Sequence, residues 1–258
     1  MENKITENKI GILGAGNIGQ SLIIKLLEKG YPKENIKLTY RGSIFTFEKI
    51  YDNNLVDMIS DNSRLVEESD VIIISVPPQA FKQIGEFGIT DDKLIISFMA
   101  GVTIDEIKKQ TGSDNVVRIM PTGPDTILDS TAIAGVYPDR GDVFELLNLL
   151  DIDYSILESE EDMKYMTLIG CMPAVYAKYD YDLPENRDAI DKLSEEFSLF
   201  AKLSKKASLL VPTENKDEFI ERVSTPGGVT QKILTSISEG NSIYDSYKIA
   251  LDYIDKLQ

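Results

Sequence analysis

Residues 10–19, IGILGAGNIG, pass from an apolar strand into a glycine loop, and the SLIIKLLEKG that follows is an amphipathic helix closed by Gly30. A G-x-G-x-x-G spacing between a strand and a helix is the fingerprint of a dinucleotide-binding fold. The glycines permit the tight turn, admit a pyrophosphate and let the helix pack on the strand. The alternative is a structural glycine turn in another α/β protein.

The N-terminus of this helix, predicted over residues 18–29, offers unpaired N–H groups and the positive end of a dipole. Both features suit the phosphates of a dinucleotide. The cofactor contacts predicted at this loop are Gly14, Gly16, Asn17, Ile18 and Gly19.

Composition excludes several classes of function. The chain of 258 residues carries a formal charge of −16, which argues against nucleic-acid binding and against an anionic membrane surface. Histidine is absent, which excludes a His general base, a Ser-His-Asp triad and His-based zinc ligation. Cys171 is the only cysteine, so no disulfide and no cysteine-rich metal site is expected. The polar segment MENKITENK has no signal-peptide character, and we expect a cytoplasmic protein without a metal.

Apolar runs alternate with helical segments over about the first 155 residues, which predicts a doubly wound sheet of the Rossmann type. The run VIIISV after Asp70 has the β-branched composition of a buried parallel strand. TIDE at 103–106 is a capping box that opens a helix. After the first strand, the predicted strands cover residues 36–40, 55–59, 71–76, 94–98 and 116–120.

From residue 161 onward strand signals disappear and helical periodicity takes over. We therefore predict a nucleotide-binding domain at residues 1–158 and a smaller all-α domain at 159–258. Apolar residues recur every three or four positions in 188–211 and 243–257. A helical domain of this size makes a thin core by itself, which favours a homodimer or a higher homo-oligomer through these helices.

Five further motifs carry a resemblance to a known family. They are SVPPQ (75–79), MAGVTIDEI (99–107), RIMPTGP (118–124), GCMPAVY (170–176) and STPGGVT (224–230). In order and spacing they resemble the pyrroline-5-carboxylate reductases, whose segments read approximately AVKPQ, AAGISIATL, RVMPNTP, GSGPAYV and TSPGGTT. The resemblance spans nearly the whole chain. The last motif is the most specific, because a Rossmann domain alone says little about chemistry.

The resemblance implies NADPH-dependent reduction of the C=N bond of 1-pyrroline-5-carboxylate, a small anionic imino acid, in proline biosynthesis. It implies cofactor contacts at Val76, Pro78, Gln79, Ala100, Gly101 and Pro121. It also implies that Thr230 contacts the imine, and that the backbone of Gly227 and Gly228 holds the carboxylate. Thr225 and Cys171 complete the implied substrate site.

The STPGGVT loop also has a physical interpretation of its own. It precedes a helical stretch, so its exposed N–H groups and the hydroxyls of Thr225 and Thr230 suit an anion. The alternative is an ordinary helix cap, since Ser, Thr and Pro-Gly are common at such positions.

The choice of nucleotide depends on the end of the second strand, where NAD-binding proteins usually carry an acidic residue. Residues 39–43 read TYRGS, without a carboxylate. Arg41 and Ser43 suit a 2′-phosphate, so NADPH is predicted over NADH. The alternative is a solvated arginine in a loop.

Several positions depart from the family pattern, and lost hydrogen-bonding groups change what a pocket recognises. They are Pro77, Thr122, Gly123, Cys171, Met172, Val175 and Val229. Two alternatives therefore stay open. One is a β-hydroxyacid dehydrogenase-like enzyme acting on a keto or hydroxy acid through Lys178, and the other is a non-catalytic NADP-binding relative. Cys171 is either a reactive thiol or a small core residue.

Overall fold

A seven-stranded sheet organises the first of two compact units, residues 1–160 and 161–258. The computed structural model describes residues 7–84, 88–180, 182–224 and 227–256. The division at residue 160 lies two residues beyond the predicted boundary. The strands are β1 (Ile10–Leu13), β2 (Ile36–Thr39), β3 (Val71–Ile74), β4 (Leu94–Ser97), β5 (Val116–Pro121), β6 (Ile133–Tyr137) and β7 (Asp153–Ile156).

The strand order is β2-β1-β3-β4-β5-β6-β7, and every neighbouring pair is parallel except β5 with β6. Strands β1, β3 and β4 are buried along their whole length, as expected when helices cover both faces of a parallel sheet. Successive residues of β3 enter opposite cores, with Val71 in one cluster and Ile72 in the other. The predicted doubly wound sheet is confirmed.

The strand predicted over residues 55–59 is wrong. Val56–Met58 forms a single 3₁₀ turn, and only an isolated bridge joins Leu38 to Ile59. Leu55 and Met58 are buried three positions apart, whereas Val56 between them is 41% exposed. That spacing satisfies a helical turn and not the two-residue period of a strand.

Helices flank the sheet at the positions where the sequence places caps. Thr103 and Glu106 form the predicted capping box, Ser43 caps the second helix and Asp61 caps the third. The helices are α1 (Asn17–Glu28), α2 (Ile44–Asp52), α3 (Asn62–Glu68), α4 (Pro78–Phe81), α5 (Ile104–Thr111), α6 (Pro124–Leu128) and α7 (Gly141–Leu149).

The described part of the second unit is helical, which confirms its predicted class. Its helices are α8 (Met163–Lys178), α9 (Pro184–Glu196), α10 (Ser198–Ser208), α11 (Lys216–Val223), α12 (Val229–Ser238) and α13 (Ile243–Asp255). The periodic stretch at 188–211 is divided between α9 and α10, because the backbone at Phe197 is extended. The end of the stripe at residue 257 lies outside the described residues. In the described ranges, no helix has both the length and the apolar character that a membrane span requires.

A buried ion pair secures the end of the first unit. Arg118 of β5 is 2% exposed, and its Nη1 donates to Glu160 Oε1 at 2.7 Å. The same carboxylate oxygen accepts from the Ile104 N–H at 2.6 Å, and Arg118 Nη2 donates to the Met99 carbonyl at 3.3 Å. The pair therefore joins β5 to the start of α5 and to the loop that follows β4.

We predict that Glu160→Ala lowers the free energy of unfolding by about 3–5 kcal/mol, because a buried guanidinium loses its only carboxylate among the described residues. Urea unfolding followed by circular dichroism measures the change. The matched control is Glu161→Ala, which removes an exposed carboxylate at the next position and is expected to cost less than about 0.5 kcal/mol. Equal effects of the two substitutions would refute the role given to the ion pair.

Candidate cofactor and substrate sites

The glycine loop after β1 contains two glycines that the fold requires and one that leaves open space. Gly14 has φ +101°, and a Cβ there would lie 2.4 Å from Val76 Cγ1. A Cβ on Gly19 would lie 2.4 Å from the Gly14 carbonyl oxygen. A Cβ on Gly16 would meet no atom within 4 Å. The loop therefore packs tightly on β1 and β3 while leaving room above Gly16.

Helix α1 begins in that open space without a side-chain cap, with Gly16 as its N-cap residue. The Gly16 N–H donates to the Gly14 carbonyl at 2.9 Å, whereas no bond to a described residue uses the N–H groups of Asn17, Ile18 and Gly19. Three open donors at the positive end of a helix fit a pyrophosphate. The residues present thus fit a dinucleotide on geometric grounds.

Lys49 is a candidate cofactor residue that sequence reasoning missed. It lies on α2, and its Nζ donates to Asn17 Oδ1 at 3.0 Å, beside the open N-terminus of α1. The helical spacing of α2 gives no sign of this contact, because Lys49 is exposed and resembles any solvated lysine. Its ammonium adds positive charge where the phosphates are expected.

The other predicted cofactor residues follow the carboxyl ends of neighbouring parallel strands, so they lie along one edge of the sheet. In open α/β sheets this edge is where nucleotides bind. Val76 follows β3, Ala100 and Gly101 follow β4, Pro121 ends β5, and Pro78 and Gln79 open α4. The fold brings these scattered residues together at the edge that holds the glycine loop.

Arg41 and Ser43 lie after β2, between the strand and α2. Arg41 is exposed and makes no hydrogen bond or ion pair with any described residue. The Ser43 Oγ accepts from the Thr46 N–H at 3.5 Å, so this hydroxyl also caps α2. The guanidinium is therefore free to meet a phosphate, whereas the hydroxyl has a structural function as well.

In the second unit, the loop before α12 supplies a second helix N-terminus. Gly228 is the N-cap residue, and no described side chain caps the helix. Gly227 requires a correction, because its N–H already donates to Gln231 Oε1 at 2.8 Å and is not open to a carboxylate. Tyr253 also donates to the Gly227 carbonyl at 2.8 Å. The donors that remain for an anion are the N–H groups of Gly228 and of the first turn of α12. Thr225 lies outside the described residues.

Thr230 and Cys171, which are predicted to share a site, are in contact. Thr230 Oγ1 lies 3.3 Å from Cys171 Sγ, and the sulfur lies 3.2 Å from the Thr167 carbonyl oxygen. Cys171 is 4% exposed, and burial raises the pKa of its thiol to about 11. Of the two interpretations of Cys171, the geometry favours a small core residue over a reactive thiol.

Three of the departures from the family pattern are accommodated locally. Thr122 Oγ1 accepts from the Ile133 N–H at 3.2 Å and lies 3.0 Å from Thr126 Oγ1, so this hydroxyl is used within the fold. Met172 and Val175 are fully buried in α8. Lys178, the lysine of the hydroxyacid alternative, is the last residue of α8 and lies 5.7 Å from the centroid of the Tyr179 ring.

Comparison with known proteins supports this architecture. Residues 9–101 match a family described as NADP oxidoreductase coenzyme F420-dependent. The chain is 29% identical over 244 residues to a pyrroline-5-carboxylate reductase of Aquifex aeolicus, covering 86% of each chain. It is 25% identical over 242 residues to pyrroline-5-carboxylate reductase 2 of Bacillus subtilis, covering 90% of this chain and 87% of the relative.

A solved structure extends the likeness to the whole fold. The pyrroline carboxylate reductase of Plasmodium falciparum, determined with NADP bound, superposes with a TM-score of 0.60 at 19% identity and covers 98% of both chains. The chain has a doubly wound sheet with an open glycine-loop helix, followed by a helical unit, and together with the matched family and the named relatives this indicates an NAD(P)H-dependent oxidoreductase. Within that class the chain is similar over most of its length to the pyrroline-5-carboxylate reductases of Aquifex aeolicus and Bacillus subtilis.

Proposed function

We propose that the protein reduces the C=N bond of 1-pyrroline-5-carboxylate to give proline, with NADPH as the reductant. The observation that carries this proposal is the start of α12, which no described side chain caps and whose second residue is Thr230. The substrate carries a carboxylate beside a ring nitrogen. Backbone N–H groups at a helix N-terminus suit the carboxylate, and a polar side chain in the first turn suits the nitrogen. Relatives that bear this name match the chain over most of its length, which supports the same substrate.

In this proposal the first unit holds the nucleotide. The N–H groups at the start of α1 bind the pyrophosphate, and Arg41 binds the 2′-phosphate. Lys49 neutralises charge beside Asn17. When bound, NADPH supplies the hydride that reduces the C=N carbon.

The second unit holds the substrate. The N–H groups of Gly228 and Val229 bind the carboxylate, and Thr230 contacts the ring nitrogen. Hydride addition to an iminium needs orientation more than a strong side-chain acid. A chain without histidine is therefore chemically sufficient for this reaction.

An assay of NADPH oxidation tests the proposal and separates it from its alternatives. We expect turnover with 1-pyrroline-5-carboxylate, and Thr230→Val is expected to lower kcat/KM by about tenfold to a hundredfold because a hydrogen bond to the nitrogen is lost. The control is Thr235→Val, an exposed threonine on the same helix, which should leave kcat/KM unchanged. Turnover only with hydroxy or keto acids would support the hydroxyacid alternative, and NADPH binding without turnover would support a non-catalytic relative.

The preference for NADPH rests on Arg41. We expect Arg41→Ala to raise the KM for NADPH by about tenfold while the KM for NADH stays unchanged, because only NADPH carries the 2′-phosphate that a guanidinium binds. Arg64→Ala is the control, since that arginine is paired with Glu68 at 2.6 Å on α3. An unchanged ratio of the two KM values would remove Arg41 from the site.

Association through the helical unit stays a prediction. It follows from the small size of that unit and not from a contact seen in the structure. Light scattering at micromolar concentration tests it, with a homodimer expected at about twice the chain mass of 28.8 kDa. A mass equal to that of one chain would exclude the dimer.

A further inference from the structure

The contact between Thr230 and Cys171 fixes the direction of a hydrogen bond. The Thr167 carbonyl, 3.2 Å from the sulfur, has no proton and can only accept. The single thiol proton of Cys171 therefore belongs to that bond. The sulfur then has only lone pairs to offer to Thr230 Oγ1 at 3.3 Å, so the hydroxyl donates to it.

The surroundings of the Cys171 thiol favour a hydrogen bond in which Thr230 donates to the sulfur. Cys171 is 4% exposed, and burial raises its pKa to about 11, so the proton that bonds to Thr167 is present at neutral pH. Tyr247 is a buried titratable group that interacts with the thiol, and burial holds the pKa of Tyr247 well above its usual range. No described group is hydrogen-bonded to the Tyr247 hydroxyl, so it does not compete for the sulfur.

We propose that Cys171 is a positioning residue that takes the hydroxyl proton of Thr230 and leaves Thr230 as a hydrogen-bond acceptor toward the substrate. This inference rests on the proposed function, because it concerns the same site. A neutral imine nitrogen also has only a lone pair, so it cannot hydrogen-bond to a Thr230 oxygen that acts as an acceptor. The N–H of a protonated iminium can donate to that oxygen.

Thr230 thereby selects the protonated substrate, which already carries the proton that the product needs. Hydride adds to the C=N carbon, the π electrons move to nitrogen, and the N–H bond that was present remains in the amine. No proton leaves the protein in that step.

Two ligands of nearly the same shape test the direction of the bond. Proline presents N–H donors, whereas tetrahydrofuran-2-carboxylate presents a ring oxygen that only accepts. Calorimetry in the presence of NADP⁺ is expected to show proline binding at least about tenfold more tightly to the parent chain, since one mismatched hydrogen bond costs about that factor. In Cys171→Ala the Thr230 hydroxyl is free to donate to the ligand. The ratio of the dissociation constants of tetrahydrofuran-2-carboxylate and proline should therefore fall about fivefold or more.

Cys171→Ser is the matched control, since its hydroxyl can donate to Thr167 and accept from Thr230, and it should restore the parent ratio. A change of packing alone would weaken the binding of both ligands by the same factor and leave the ratio of their dissociation constants unaltered. An unaltered ratio in Cys171→Ala, or a failure of Cys171→Ser to restore it, would overturn the inference while the proposed function stands. If the parent binds neither ligand, the proposed function fails and the inference with it.

Infrared spectroscopy reads the same bond without any ligand, because the chain has one cysteine and therefore one S–H stretching band. In Thr230→Val the thiol still donates to Thr167, so its band should keep the low frequency of a hydrogen-bonded S–H. A shift to the frequency of a free thiol would show that Cys171 donates to Thr230, and would overturn the inference whatever the substrate.

Discussion

The close approach of α1 to β1 is the constraint on which the nucleotide-binding unit depends. At Gly19 no side chain separates the helix from the Gly14 carbonyl, where a Cβ would lie at 2.4 Å. The loop is also held from both sides, because the Ala15 N–H donates to the Thr39 carbonyl at 2.7 Å and Ser75 Oγ donates to the Gly14 carbonyl at 2.8 Å. Strands β2 and β3 therefore fix the position at which the donors of α1 stand open.

The buried strands could be predicted because a strand covered on both faces is a continuous β-branched run. The apolar pattern gave a wrong prediction where the same spacing of apolar residues fits two kinds of secondary structure. The apolar spacing of residues 55–59 resembled that of a strand, but Val56–Met58 forms a 3₁₀ turn. Phe197 continues the apolar spacing of a helix, yet its backbone is extended and its ring packs 4.7 Å from Tyr165. Periodicity records which side chains are buried, and it does not record where the helix is interrupted.

The candidate sites also contain some features that could be predicted from the sequence and others that could not. Glycines and prolines constrain the backbone locally, so the loops at residues 14–19 and 227–230 are recognisable from sequence. Contacts between distant residues are not, and two of them alter the chemistry. Lys49 contacts Asn17 from another helix, and Cys171 contacts Thr230 from 59 positions away. Both depend on how helices pack, which no local pattern contains. The bond from the Gly227 N–H to Gln231 is local, but it depends on a side-chain conformation that the sequence does not specify.

A chain with a net charge of −16 is an unusual partner for two anions, a dinucleotide and a carboxylate. Charges separated by more than about 8 Å are largely screened at physiological salt, so the local field matters more than the total. In the first unit that field comes from the uncapped N-terminus at Gly16 together with the cations Lys49 and Arg41, and in the second unit it comes from the uncapped N-terminus at Gly228. Backbone donors also point in fixed directions. The proposed recognition of both ligands therefore depends on backbone geometry, which an acidic surface does not cancel.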